Sequence, residues 1–193
     1  MGRWQPDARG RLQQAALTLF FERGYDEVTV ADIAERAGLT KRSFFNHFAD
    51  KPEVVFANVD GFTESVLAAL ADAEPSLGPL DAAAWAFRQA GAAMMADYPD
   101  LARARQRLIE SSAELRERDL MKNAAVVAAV ADALCQRGVP RRQAAFAAQA
   151  AAAVFLAGTD EWSADPGPGL GPAIERALVD LRSALAPAPV PSA

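Results

Sequence analysis

The sequence predicts an all-α protein: a small N-terminal three-helix head followed by a larger helical body. Three observations carry this. Apolar residues recur at helical spacing along most of the chain, while β-branched runs are short. Much of the 51% hydrophobic fraction is alanine, which favours helix over strand. Capping residues and proline–glycine clusters divide the chain into about nine segments of helical length.

Each segment has its own justification. Residues 7–23 place Leu12, Ala16, Leu19 and Phe20 on one stripe, and Gly24-Tyr25 ends it. Residues 29–48, TVADIAERAGLTKRSFFNHF, then read as a helix-turn-helix. Two short helices cross steeply only where small residues meet, and Ala34 supplies one. Gly38 follows four residues later, where a helix stops and the backbone enters left-handed space. Leu39 and Phe44 plug the angle between the helices. Thr29 with Asp32 starts the first helix and Thr40 caps the second. Asp50, with Pro52 and Glu53 behind it, caps a long helix over 51–73.

The body follows. PSLGP at 75–79 is a breaker, and residues 80–98 form the next helix, with Leu80, Phe87, Gly91, Met94 and Tyr98 in series. Pro99 opens a short helix to about Ile109. Ser111 with Glu114 opens a long one that closes at Gly138. Pro140 starts an alanine-rich helix reaching Gly158–Trp162. PGPGLGP, 166–172, is a rigid loop, and Ile174, Leu178, Leu181 and Leu185 mark the last helix. The domains expected are thus 1–50 for the head, 51–186 for the body and 187–193 for a disordered tail.

Charge divides at the same place. The net charge is −5 and the pI about 5.0. Residues 1–50 hold seven Lys/Arg and seven Asp/Glu; the remainder carries the whole deficit. A neutral head binds DNA when its cations face the phosphates, whereas an acidic body stays clear of them. One cysteine, Cys135, permits no internal disulfide and reads as a small core residue. No leader-like apolar core opens the chain and no charge-free apolar run approaches membrane-spanning length, so the expectation is a cytoplasmic protein.

The reading helix carries Lys41, Arg42, Ser43, Asn46 and His47, chemistry for docking on DNA rather than for breaking bonds. An enzyme is not expected. His47 is the only histidine and lies in the head, so no Ser-His-Asp set forms elsewhere. No phosphate loop or dinucleotide fingerprint follows a strand. No metal site is expected, since no cysteine lies near that histidine, and no cofactor is implied. Arg3, Arg9 and Arg11 read either as phosphate contacts or as a solvated arm.

On these residues the chain resembles the TetR family of one-component bacterial transcription regulators. The resemblance rests on ERGYDEVTV, IAERAGLT and FFNHFADKPE, over roughly residues 10–56. It implies a sequence-specific DNA-binding regulator: a homodimer on a palindromic operator, acting as a ligand-released repressor. It implies that Thr29 holds a phosphate, that Lys41, Arg42, Ser43 and Asn46 face the major groove with Thr40 at the helix start, that His47 contacts the backbone, and that Lys51 anchors a phosphate. The chain departs from the family pattern at Arg42, where Gly is common, and at Phe45, where Tyr is common. Arg42 adds a bidentate donor suited to guanine. Phe45 loses the phosphate-touching hydroxyl. The R-S-F-F variant and RQRLIESSAELRER resemble a subgroup of actinobacterial regulators that includes those of mycofactocin loci, some of which sense acyl-CoA-like ligands.

The helices 140–158 and 172–186 are the candidates for a dimer bundle, or else fill a monomer core. Phe62, Trp85, Phe87, Met94, Met95 and Tyr98 either line an adaptable apolar pocket or form plain core; Arg105, near Arg103 and Arg107, is the candidate for an anionic headgroup of a small apolar or acyl-CoA-like effector. The fourth helix is the expected lever between effector and head. The alternative is a helical interaction protein that keeps the head fold without specific DNA binding. It differs in predicting no effect of Arg42→Ala or Lys51→Ala on DNA.

Overall fold

The computed structural model describes residues 8–96, 99–165, 167 and 169–186, with the side chains of residues 95–102 outside that description. Among the described residues the chain forms nine α-helices and one 3-10 helix, with no strand. They are α1 (Ala8–Arg23), α2 (Val30–Arg36), α3 (Lys41–His47), the 3-10 helix Pro52–Phe56, α4 (Val59–Asp72), α5 (Pro79–Ala96), α6 (Pro99–Ser111), α7 (Ala113–Gln136), α8 (Arg141–Ala164) and α9 (Leu170–Leu185). Tyr98 and the tail 187–193 lie outside the described residues, as do Arg3, Pro166 and Pro168.

The chain divides into two compact units. The first is Met1–Asp60 with Tyr98–Lys122, so it holds α1 to α3, the 3-10 helix, α6 and the first part of α7. Its core joins Leu12, Leu19, Phe20, Ile33, Phe44, Phe48, Val54 and Phe56 to Leu108, Ile109 and Leu115. The second unit is Gly61–Asp97 with Asn123–Ala193. Here α5, α8 and α9 pack closely because alanine and glycine line the seams. A Cβ on Gly158 would lie 2.7 Å from Ile174 Cα, so the backbones of α8 and α9 approach as near as they do only because that side chain is missing.

Several sequence expectations are corrected. The single helix over 51–73 is broken: a 3-10 helix ends at Phe56 and α4 begins at Val59. Asp50 does cap the first piece, accepting from Glu53 N at 2.9 Å. At this break the carbonyls of Val55 and Ala57 accept from Arg105 Nε and Arg9 Nη2, both at 2.9 Å. The cap of α7 is Ser112 rather than Ser111. Leu115 N donates to Ser112 Oγ, while the Ser111 hydroxyl turns back to Leu108 O. The last helix starts at Leu170, inside the expected loop. The stretch Pro52–Asp72 is, by length and composition, apolar enough to cross a membrane, although it carries Glu53, Asp60, Glu64 and Asp72. Its Val54, Val55, Phe56, Val66 and Leu70 are buried in protein.

Candidate DNA-reading surface

The head is built to hold one short helix outward. Thr29 and Asp32 form a reciprocal capping box at α2: Asp32 N donates to Thr29 Oγ1 at 3.2 Å, and Thr29 N donates to Asp32 Oδ2 at 2.8 Å. The Thr29 hydroxyl also donates to that carboxylate, at 2.5 Å, and these bonds hold the Asp32 carboxyl below its ordinary value. Helix α2 stops at Gly38, whose φ of +65° gives the left-handed step. Gly38 N and Leu39 N return to Glu35 O and Ala34 O at 2.9 and 2.8 Å. The Arg11 guanidinium donates to Ala37 O, closing the same turn from α1.

Thr40 then caps α3, accepting from Ser43 N at 3.1 Å. Phe44 is fully buried and stacks toward Phe48, with ring centroids 5.4 Å apart. That burial turns the opposite face of α3 outward: Lys41, Arg42, Phe45, Asn46 and His47 are exposed, and Ser43 is half-buried. Thr29 and Thr40 are exposed at the two helix starts.

Lys51 points elsewhere. Its Nζ donates to Tyr25 O at 2.9 Å and Val28 O at 3.1 Å and lies 4.0 Å from the centre of the Tyr25 ring. Two of its three protons are thereby engaged, leaving at most one for a phosphate. Tyr25 is buried and donates to Glu114 Oε2 at 2.9 Å; burial first, then that hydrogen bond, raise its hydroxyl above the ordinary range. Arg9 and Arg11, read from sequence as arm or phosphate residues, lie on α1 and tie carbonyls within the head. Neither role was visible in the sequence, because a surface arginine and a carbonyl clamp have the same letter.

A charged cluster escaped the sequence reading altogether. Arg118 donates to Asp50 Oδ2 at 2.5 Å and to Glu53 Oε2 at 3.4 Å, and Lys122 to Glu53 Oε1 at 2.7 Å. The Asp50 bond raises the Arg118 guanidinium above its usual value. The available signal was the i,i+4 pair Arg118 and Lys122 on one face of α7.

The effector candidates are dispersed. Phe62 and Phe87 meet Phe155 in the second unit, with ring centroids 5.4 and 5.5 Å from it. Phe155 lies on α8, within the segment 140–158 expected for a dimer bundle or a monomer core. Gly91 makes room for it, since a Cβ there would sit 2.6 Å from Phe155 Cε2. Trp85 is half-buried and Met94 exposed; the Met95 side chain and Tyr98 lie outside the described residues. Arg105 belongs to the first unit, lies 5.2 Å from the centre of the Phe56 ring and donates through Nε to Val55 O. Its guanidinium is desolvated, which lowers its pKa. The second unit also has a cleft of about 380 Å³ lined by Ala71, Leu77, Pro79, Leu134, Arg137 and Val139, none of them an effector candidate.

A capped, outward-facing α3 on a compact helical head is the structure of a helix-turn-helix regulatory protein. The comparisons with known proteins place it further. Residues 12–57 match the pattern of bacterial regulatory proteins of the tetR family, and residues 77–186 match the MftR C-terminal domain. The chain belongs to the TetR family of transcriptional regulators. It is similar to the regulator TcmR of Streptomyces glaucescens, 41% identical over 80 residues, which are 42% of this chain and 35% of TcmR. It is also similar to the repressor KstR2 of Mycobacterium tuberculosis, 38% identical over 74 residues, 38% of this chain and 37% of KstR2. The match thus spans little more than a third of the length of these relatives. The crystal structure of the repressor FadR of Thermus thermophilus, in complex with lauroyl-CoA, covers 96% of this chain and 98% of its own at 26% identity, with a TM-score of 0.51.

Proposed function

We propose that the protein is a cytoplasmic, ligand-released repressor that binds a palindromic operator as a homodimer and catalyses no reaction. The observation that carries this is the outward face of α3, where Lys41, Arg42, Asn46 and His47 stand exposed over a buried Phe44. Lys41, Arg42, Ser43 and Asn46 supply base-edge contacts, and Thr29, Thr40 and His47 supply phosphate contacts. A single short helix covers few base pairs, so two copies are needed for useful selectivity. In support of a dimer, Phe146 on α8 is 68% exposed, and Val179 and Leu185 on α9 are 57% and 73% exposed, apolar side chains that a second copy would cover.

The effector we propose is an acyl-CoA-like thioester, by likeness to the FadR complex with lauroyl-CoA. The aromatic trio Phe62, Phe87 and Phe155 supplies apolar surface for an acyl chain. Release requires that the effector bind better to the form with misplaced reading heads. The test is a titration of lauroyl-CoA into the protein bound to the DNA upstream of its own gene. Release of the DNA by lauroyl-CoA, with none by free CoA, supports the effector class. Retention at saturating thioester overturns it.

A further inference from the structure

Phe45 is the one apolar side chain on the outward face of α3, and it is 50% exposed. Its ring meets Phe44 edge-on at 5.5 Å, so one edge is held by the core and the rest faces solvent. It has no polar atom and makes no phosphate hydrogen bond. Lys41 and Arg42 stand four and three residues before it, on neighbouring positions of the same helix surface. At about 100° per residue Arg42 and Asn46 straddle the direction opposite Phe44, and Phe45 flanks them.

A half-exposed ring costs solvation in the free protein and gains when it is covered. In the major groove the one apolar feature is the C5-methyl of thymine, and phenylalanine is among the side chains that pack on it. Resting on the reading that α3 enters the major groove, we propose that Phe45 is a base-reading residue that selects a thymine by its methyl group. Its ring is anchored by Phe44, so little rotamer freedom is lost on contact. The neighbouring Arg42 then reads the purine beside that thymine.

The test removes the methyl and nothing else. A duplex is enriched by the protein from a randomised pool, and each thymine in turn is replaced by deoxyuridine. Affinity is measured for the parent and for Phe45→Ala, with a thermal melt to show that both are folded. One deoxyuridine position per half-site is expected to weaken the parent about fourfold, the worth of one buried methyl-sized group, and to leave Phe45→Ala unchanged. Phe45→Leu, still apolar, is expected to keep part of the penalty. Tolerance of deoxyuridine at every position by the parent overturns the proposal while leaving DNA binding intact. An equal penalty in parent and Phe45→Ala also overturns it, since another group then reads the methyl. Failure to enrich any sequence overturns the DNA-binding reading itself, and this inference with it.

Discussion

Replacing Lys51 with methionine keeps the aliphatic stem and removes the ammonium. The structure sets the magnitude. Two charged donors to the Tyr25 and Val28 carbonyls disappear, along with the cation over the Tyr25 ring. A hydrogen bond from a charged group contributes about 1.5–3 kcal/mol, and an exposed cation–π contact about 0.5–1 kcal/mol. Lys51 is only half-buried, and water replaces part of this, so the expected loss is about 2–4 kcal/mol. At roughly 2–4 °C per kcal/mol for a chain of this size, the head melts about 5–15 °C lower. Far-UV circular dichroism during heating reads this directly. Lys41→Met is the comparison, because Lys41 is exposed on α3; its stability should stay within about 0.5 kcal/mol of the parent while its DNA binding weakens. A Lys51→Met protein as stable as the parent, yet much poorer on DNA, would refute the clamp and return Lys51 to the phosphate.

Four further outcomes are expected. Gly158→Ala should destabilise the second unit by about 1–3 kcal/mol despite alanine's better helix propensity, because the new Cβ meets the Ile174 backbone, which has no rotamer to yield; a urea titration checks it. Glu53→Gln should cost about 1 kcal/mol at low salt, since it serves both Arg118 and Lys122, and the loss should shrink when the melt is repeated at high salt. Tyr25 keeps its proton in the folded state well above the ordinary value of 10.0, so its contribution is complete below pH 10 and is lost as pH rises through the raised value. The stability gap between parent and Tyr25→Phe should therefore narrow above pH 10 in denaturant titrations. Arg42→Ala should relax choice at one base pair by about 1–3 kcal/mol, read as a flattened preference at that position among enriched sequences.

The head was legible because its signals are local. Thr29 with Asp32, Thr40, Gly38 and Phe44 each act within one turn, and the structure realises them as caps, a left-handed step and a core side chain. What the letters did not carry was side-chain reach. Arg9, Arg11, Lys51 and Arg105 look like surface cations in sequence, yet each donates to a backbone carbonyl distant along the chain, and two of those bonds fall at the break in the helix expected over 51–73. The effector candidates suffered the same way. Helical spacing placed Phe62 and Phe87 on inward stripes, but only tertiary packing through the gap left by Gly91 brings Phe155 against them. Periodicity reports which face is buried, and it is silent on which long side chain crosses to meet it.

The central claim is that α3 reads DNA, and fluorescence anisotropy tests it most directly. The purified protein is titrated onto a labelled duplex from upstream of its own gene and onto a scrambled duplex, across a salt series. The account predicts tighter binding to the upstream duplex, with affinity falling log-linearly in salt and the preference reduced by Arg42→Ala. Equal weak binding to both duplexes, unchanged by Arg42→Ala, would contradict it and leave the head as a scaffold.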